Sequence, residues 1–413
     1  MELPGFYYDA ERRRYFRITN TGNASAQGMA AYSTASVESQ RRKRARTAAN
    51  GQPSQRPSPP SFTVNQLRLM EPLGSFGPLG GRLKSRAEAT LKSKLRLRAE
   101  RELESGSSPT TMAGGDETGV FVGFSCGTLK YVPANDEQSD VLIDKKGSAI
   151  SGLNYGRGGI LSGTTFGSHE GSGTVNVWLL DEISMSSGQL FTPSRPETFW
   201  SSHCSGDGSL LVAGGVGKVW LFDMARAGLD YDRVVKIGSK SDVLTVASCG
   251  DFHGFDRNEV VCGTRPGRVM HLDIRDRSKP SSWSHGSGVT HVQHVTNIGN
   301  AGKYIVVSGF QDRCGVYDTR FTSKMVAQYP QYRNYSTTAH GFSISDPVMD
   351  QPSSTNRYAA IGCDDNVRIY EALTGTLITS IDCKSSVAHW SSNPSWPFKA
   401  LYLANENLSV YST

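Results

Sequence analysis

Val269-Met270-His271-Leu272-Asp273-Ile274-Arg275 and Cys314-Gly315-Val316-Tyr317-Asp318-Thr319-Arg320 decide how this chain reads. Each is a short β-type run that closes on Asp-x-Arg. An Asp suits a strand end, because its carboxylate accepts N–H groups of the turn that follows. The turn does not require the Arg two positions later. Each stretch therefore marks a repeated strand ending and also places a guanidinium just beyond it. If the two repeats are neighbours, both arginines reach the same rim of the molecule.

The same ending recurs along the chain, as GTLKYV (Tyr131), TVNVWL (Trp178), KVWLFD (Phe222), VMHLDI (Leu272), CGVYDT (Tyr317), VRIYEA (Tyr370) and LSVYST (Tyr411). Successive aromatic or apolar endings lie 47, 44, 50, 45, 53 and 41 residues apart, near the roughly 40–45 of a WD-type blade. Small-residue β runs such as LLVAGG, EVVCGT, YIVVSG and YAAIGC come just before them. Strand, turn, strand, repeated seven times, is the pattern of four-stranded blades around a central channel. The expected fold is all-β, a WD-repeat β-propeller of about seven blades over residues 111–413. It is divergent, since Phe222-Asp223, Leu272-Asp273, Tyr317-Asp318 and Tyr370-Glu371 stand where Trp-Asp is usual. The chain ends right after the seventh such strand, so an upstream segment, with residues 62–70 as candidate, is expected to pair beside Tyr411. An open ring would leave a bare sheet edge.

The N-terminal quarter has a different character. Residues 1–110 hold 19 Lys/Arg against 9 Asp/Glu, and residues 111–413 hold 25 against 29. The basic charge thus belongs to an arm, whereas a body that tracks duplex DNA would carry it as a stripe on the fold; no direct nucleic-acid contact is expected. Residues 1–18 place Phe6, Tyr7, Tyr8 and Arg14, Tyr15, Phe16, Arg17 around a polar centre, the layout of a small aromatic hairpin. Two strands are marginal in water, so it should dock on the body or on a partner. Residues 19–61 are too poor in apolar groups to fold and read as a disordered linker. Within them Arg41, Arg42, Lys43, Arg44 and Arg46 form a compact basic cluster that a nuclear import receptor reads; a solvated run that keeps the linker extended is the plainer alternative. Residues 62–110 should hold the ring-closing segment and, over 82–104, an amphipathic helix. That stretch lacks Gly and Pro, and Leu83, Ala87, Leu91, Leu95, Ala99 and Leu103 recur every four residues. Its apolar stripe fits a partner's groove first, the propeller's own side second and a membrane surface last.

No catalytic chemistry emerges. Gly123-Phe124-Ser125-Cys126-Gly127 matches a nucleophile elbow, but that motif needs a helix after the turn and a second β run follows. The seven cysteines are scattered without a C-x-x-C, as buried reduced thiols would be. The histidines fall near blade turns, where they would bond turns or line the channel. The expectation is a non-enzymatic protein without metal or cofactor, and with no apolar run long enough for a leader or a membrane span.

These residues resemble the cullin-4-associated factors of the WD-repeat class, and within it the factor-4 subfamily. The likeness rests on LPGFYYDAERRRYFRI near the N-terminus, SDVLTV from Ser241 to Val246, the LDIR and YDTR endings, and LYLANENLSVYS at the end. It implies a substrate receptor that docks on the damaged-DNA-binding adaptor of a cullin-4 RING ubiquitin ligase. The adaptor-binding residues it implies are Asp273 with Arg275, Asp318 with Arg320, and Leu83, Leu91 and Leu95 of the expected helix. Leu272 and Tyr317 depart from the Trp of that family's W-D-x-R motif. The substrate stays unnamed and the location is expected to be nuclear, with a cytoplasmic pool allowed. A nuclear scaffold or histone-tail reader in a chromatin or ribosome-assembly complex is the alternative.

Overall fold

The computed structural model describes residues 6–9, 14–17 and, apart from stretches between strands, 95–412. The chain divides into two compact units, Met1–Ser61 and Phe62–Thr413. In the first, Phe6–Asp9 pairs antiparallel with Arg14–Arg17, Phe6 opposite Arg17 and Asp9 opposite Arg14. That is the hairpin expected from the aromatic pattern. The basic cluster at 41–46, the candidate closing segment 62–70, and Leu83 and Leu91 lie outside the described residues.

The second unit is a seven-bladed β-propeller of four-stranded antiparallel sheets. We letter strands a to d outward from the centre. Blade 1 comprises Pro109–Gly114, Gly119–Phe124, Thr128–Pro133 and Asp140–Asp144. Blade 2 is Ile150–Gly156, Ile160–Thr165, Val175–Leu180 and Met185–Phe191. Blade 3 is Ser201–Cys204, Leu210–Gly214, Lys218–Asp223 and Tyr231–Lys236. Blade 4 is Val243–Ser248, Glu259–Thr264, Arg268–Asp273 and Ser281–Ser284. Blade 5 is Val289–Val295, Tyr304–Gly309, Cys314–Asp318 and Ala327–Gln328. Blade 6 is Phe342–Ile344, Tyr358–Gly362, Val367–Glu371 and Leu377–Ile381. Blade 7 takes Val387–Trp390, Ala400–Ala404 and Asn407–Ser412 from the C-terminus and Arg96–Glu102 as its strand d. All seven strand endings read from the sequence fall in strands c.

The small-residue runs are explained by burial on both faces. Successive side chains alternate across a sheet, and each blade is covered on both sides by its neighbours. In strand b of blade 5, Ile305 and Val307 pack toward blade 4, and Tyr304 and Val306 toward blade 6. An apolar cluster fills each gap between successive blades. Around the channel, side chains of the inner strands reach the next blade. Thr110 Oγ1 donates to the Ile150 carbonyl at 2.6 Å. The Val292 N–H donates to Thr245 Oγ1, the Ile344 N–H to Gln293 Oε1 and the Trp390 N–H to Ser343 Oγ. His389 Nε2 ties blade 7 to blade 1 through the Gly114 carbonyl at 2.5 Å.

The ring closes with an upstream strand, as expected, but not with the expected one. Leu97 pairs with Tyr411 and Glu102 with Asn407. Over Arg96–Glu102 the helix expected at 82–104 is instead a strand, while residues 82–94 lie outside the described residues; in sequence the closing strand lies nearer to blade 1 than residues 62–70. A strand here satisfies the outer edge of Asn407–Ser412, which a helix would leave bare. Leu95 packs against the core between blades 6 and 7, and Leu103 is buried between blades 7 and 1. Leu95, expected among the adaptor-binding residues, is partly buried and contributes to packing of the propeller. Arg101 donates to the Pro133 carbonyl at 2.7 Å, and Lys130 Nζ to the Leu103 carbonyl at 2.9 Å. These bonds lock the closing strand to blade 1.

Candidate protein-interaction site

Asp273 and Asp318 end strands c of adjacent blades and start turns of the same design. The Asp273 carbonyl accepts the Asp276 N–H, and the Asp318 carbonyl accepts the Phe321 N–H. Each carboxylate also accepts the backbone N–H two residues on, from Arg275 at 2.9 Å and from Arg320 at 2.9 Å. The guanidinium then folds back onto the same carboxylate. Arg275 reaches Asp273 through Nε at 3.1 Å and Nη2 at 2.8 Å, and Arg320 reaches Asp318 at 2.9 and 2.6 Å. Hydrogen bonds from Arg275 hold the Asp273 carboxyl down at about 2. The hydrogen bond to Asp318 raises Arg320 further above its ordinary value.

The carboxylate therefore does two tasks, closing the turn and aiming the arginine. The arginines pair within their own blades and still present themselves to solvent, with side chains 57% and 40% exposed. Blade 6 supplies the contrast. There Glu371 ends strand c, its Oε2 accepting the Thr374 N–H at 2.7 Å and its carbonyl the Gly375 N–H, in a wider turn with Leu373 two positions on. In both Asp-x-Arg turns the carbonyl and carboxylate bonds of the Asp already close the backbone, and the guanidinium adds to them. Arg233, from strand d of blade 3, steadies the blade 4 turn by donating to the carbonyls of Ile274 and Asp276.

Beside Arg320 stands Phe321, 70% exposed, its ring 5.9 Å from the guanidinium carbon. The sequence reading missed it, although YDTRF places a large aromatic where a turn calls for a small polar residue. The rim thus offers rigid hydrogen-bond donors next to an apolar side chain, the composition of a protein-binding hot spot. Leu272 and Tyr317, in the Trp positions, are buried packing residues.

The other sequence motifs take structural places. Ser125 sits in the tight connection between strands b and c of blade 1, its N–H donating to the Ser108 carbonyl, so the G-x-S-x-G match is a blade hairpin. Cys204, Cys262, Cys314 and Cys363 are buried as free thiols, and burial pushes Cys262 up to about 12. His285 is buried, with Nδ1 3.1 Å from Tyr317 Oη and Nε2 3.2 Å from the Arg313 carbonyl. Among the described residues no three or more His, Cys, Asp or Glu side chains gather as a metal site would require.

Solved propellers share this arrangement. The β-propeller domain of Cps50 (Swd1) from Myceliophteria thermophila superposes with a TM-score of 0.56 at 14% identity, covering 77% of this chain and 99% of that one. The WD40 β-propeller domain of Doa1 gives 0.57 at 12% identity, covering 77% and 97%. The fold is a WD40 β-propeller. No family model matches the chain, and no curated protein sequence does. Identities this low speak for the fold alone.

Proposed function

We propose that this protein is a non-enzymatic substrate receptor that docks on the damaged-DNA-binding adaptor of a cullin-4 RING ubiquitin ligase and presents protein substrates for ubiquitination. The observation that carries the reading is the pair of Asp-x-Arg turns in blades 4 and 5, built alike and set on one rim. The exposure of both guanidinium groups beside Phe321 supports a role outside the fold. The family resemblance of the N-terminal aromatic island and of the LDIR and YDTR endings supplies the identity of the partner. Leu83, Leu91 and Leu95 stay in the adaptor-facing set.

Arg275→Ala combined with Arg320→Ala tests the reading. Interface arginines are frequent hot spots, and truncating one costs about 2 kcal/mol or more. Losing two should weaken association by roughly a thousandfold. The double variant is expected to lose co-purification of the adaptor while still unfolding cooperatively, with a modestly lowered melting temperature because the buried Asp318 carboxylate loses its partner. Adaptor binding at parental strength by a folded double variant would refute the mechanism. So would a loss that follows unfolding in proportion.

A further inference from the structure

The face opposite the Asp-x-Arg rim gathers the b–c turns and the d–a connections. Where blades 3 and 4 meet there, the b–c turn of blade 4 carries Arg265. Its Nε donates to Asp242 Oδ2 at 2.7 Å, and its backbone N–H donates to the Asp242 carbonyl at 3.0 Å. The guanidinium carbon lies 4.9 Å from the centre of the Trp200 ring, and Phe166 meets that ring edge-on at 5.3 Å. The exposed Val216 is bridged to Asp242.

Other arginines of the propeller show what is unusual here. Arg275 and Arg320 spend Nε and one Nη on their own carboxylates, and Arg233 spends both Nη groups on backbone carbonyls. Arg265 is held just as firmly, by a carboxylate on one side and an indole face beneath, but the hold uses only Nε and the π face. Neither of its Nη groups has a protein partner among the described residues, and the side chain is half-exposed. A fixed guanidinium with two unused Nη groups is a preorganised acceptor for a planar, two-oxygen anion. Its side-chain entropy is already spent, so a ligand need not order it.

We propose that this corner binds an acidic segment of a protein partner through one Asp or Glu carboxylate, with an adjacent large apolar residue resting on Trp200, Phe166 and Val216. Charge selects among anions. The Asp242 carboxylate beside the guanidinium repels a second negative charge, which disfavours a dianionic phosphate; phosphate recognition of that kind uses clusters of arginines. The nearby Glu197 is buried and already paired with Lys218. Residues 111–413 carry 25 basic against 29 acidic groups, which disfavours a polyacidic tract. A single carboxylate flanked by apolar residues is the chemistry that fits. The proposal does not rest on the adaptor reading, because it concerns the other face.

The test uses the full chain and an array of end-blocked hexapeptides. The central residue is Glu, Asp, Gln, Asn, Lys or phosphoserine, and its neighbours are Phe, Leu, Trp or Gly; hits are titrated by fluorescence anisotropy. The wild-type protein is expected to bind Glu or Asp peptides with apolar neighbours about tenfold or more tightly than their Gln or Asn counterparts, as charge-assisted bonds are stronger than neutral ones. Arg265→Gln should erase that preference, and the Arg275→Ala, Arg320→Ala double variant should keep it. Arg265→Lys keeps the charge but not the planar fork and should lose most of the preference; it decides the matter if Arg265→Gln melts early. Equal binding of acid and amide peptides, a phosphoserine peptide ranking first, or a preference that survives both Arg265 variants would each overturn the proposal.

Discussion

Tyr317 occupies the position that usually holds Trp, and the replacement alters what the site needs around it. A Tyr brings a hydroxyl into the gap between blades 4 and 5, and His285 meets it with Nδ1 at 3.1 Å. Burial drives the His285 pKa down to about 4, His291 likewise to about 4 and His294 to about 3. An unfolded histidine titrates near 6.5. Below that pH the unfolded chain binds protons that the folded one refuses, so these groups stabilise the fold fully above about pH 6.5 and progressively less as the pH falls toward 4. One such site is worth about 2 kcal/mol between pH 7 and pH 5. The melting temperature should therefore drop from pH 7 to pH 5. His285→Gln should lower it at pH 7 and flatten its slope with pH; a variant with a parental slope would place the effect elsewhere. At this scale the sequence was only half legible. Histidines near blade turns were readable, as were Asp-x-Arg endings. The stacking of Arg265 on Trp200 was not, because it joins residues 65 positions apart and depends on two blades meeting.

Residues 95–103 show how one element can carry two periodicities. Leu95, Ala99 and Leu103 lie four apart and read as a helix face, while Leu95, Leu97, Ala99, Arg101 and Leu103 alternate with Arg96, Arg98, Glu100 and Glu102 as a strand would. Helix propensity favours the first reading. Tertiary context reverses it: the edge of Asn407–Ser412 offers backbone partners that a helix could not use, and Leu103 gains a buried place between blades 7 and 1. Blade strands were legible because burial on both faces leaves an unambiguous apolar run, whereas the closing strand is an outer one and looks amphipathic in either form. A fragment comprising residues 95–413 should therefore unfold in urea as cooperatively as the whole chain. A fragment starting at residue 106 should show a lower midpoint and aggregate through the bared edge. Equal midpoints for the two would mean that the ring does not depend on this strand.

At the scale of the whole molecule the work is divided. The propeller presents two unlike faces, one with the paired Asp-x-Arg turns and one with the Arg265 corner, and among the described residues its apolar clusters run from Leu95 onward. Net positive charge stays with the N-terminal residues, among them the cluster Arg41, Arg42, Lys43, Arg44 and Arg46. All five are charged, with no apolar group to bury, so replacing them is expected to leave propeller stability unaltered. A dense basic run is, however, what import receptors bind, and its removal should be felt in location. Changing all five to alanine is expected to move a fluorescently tagged protein from nucleus to cytoplasm, with an unchanged melting temperature and with adaptor binding in vitro retained. Those three readouts distinguish import from the alternatives. A lowered melting temperature would make the cluster part of the fold, and lost adaptor binding would make it part of the docking surface. Undiminished nuclear accumulation would leave it as a charged stretch of linker, with import assigned to other residues.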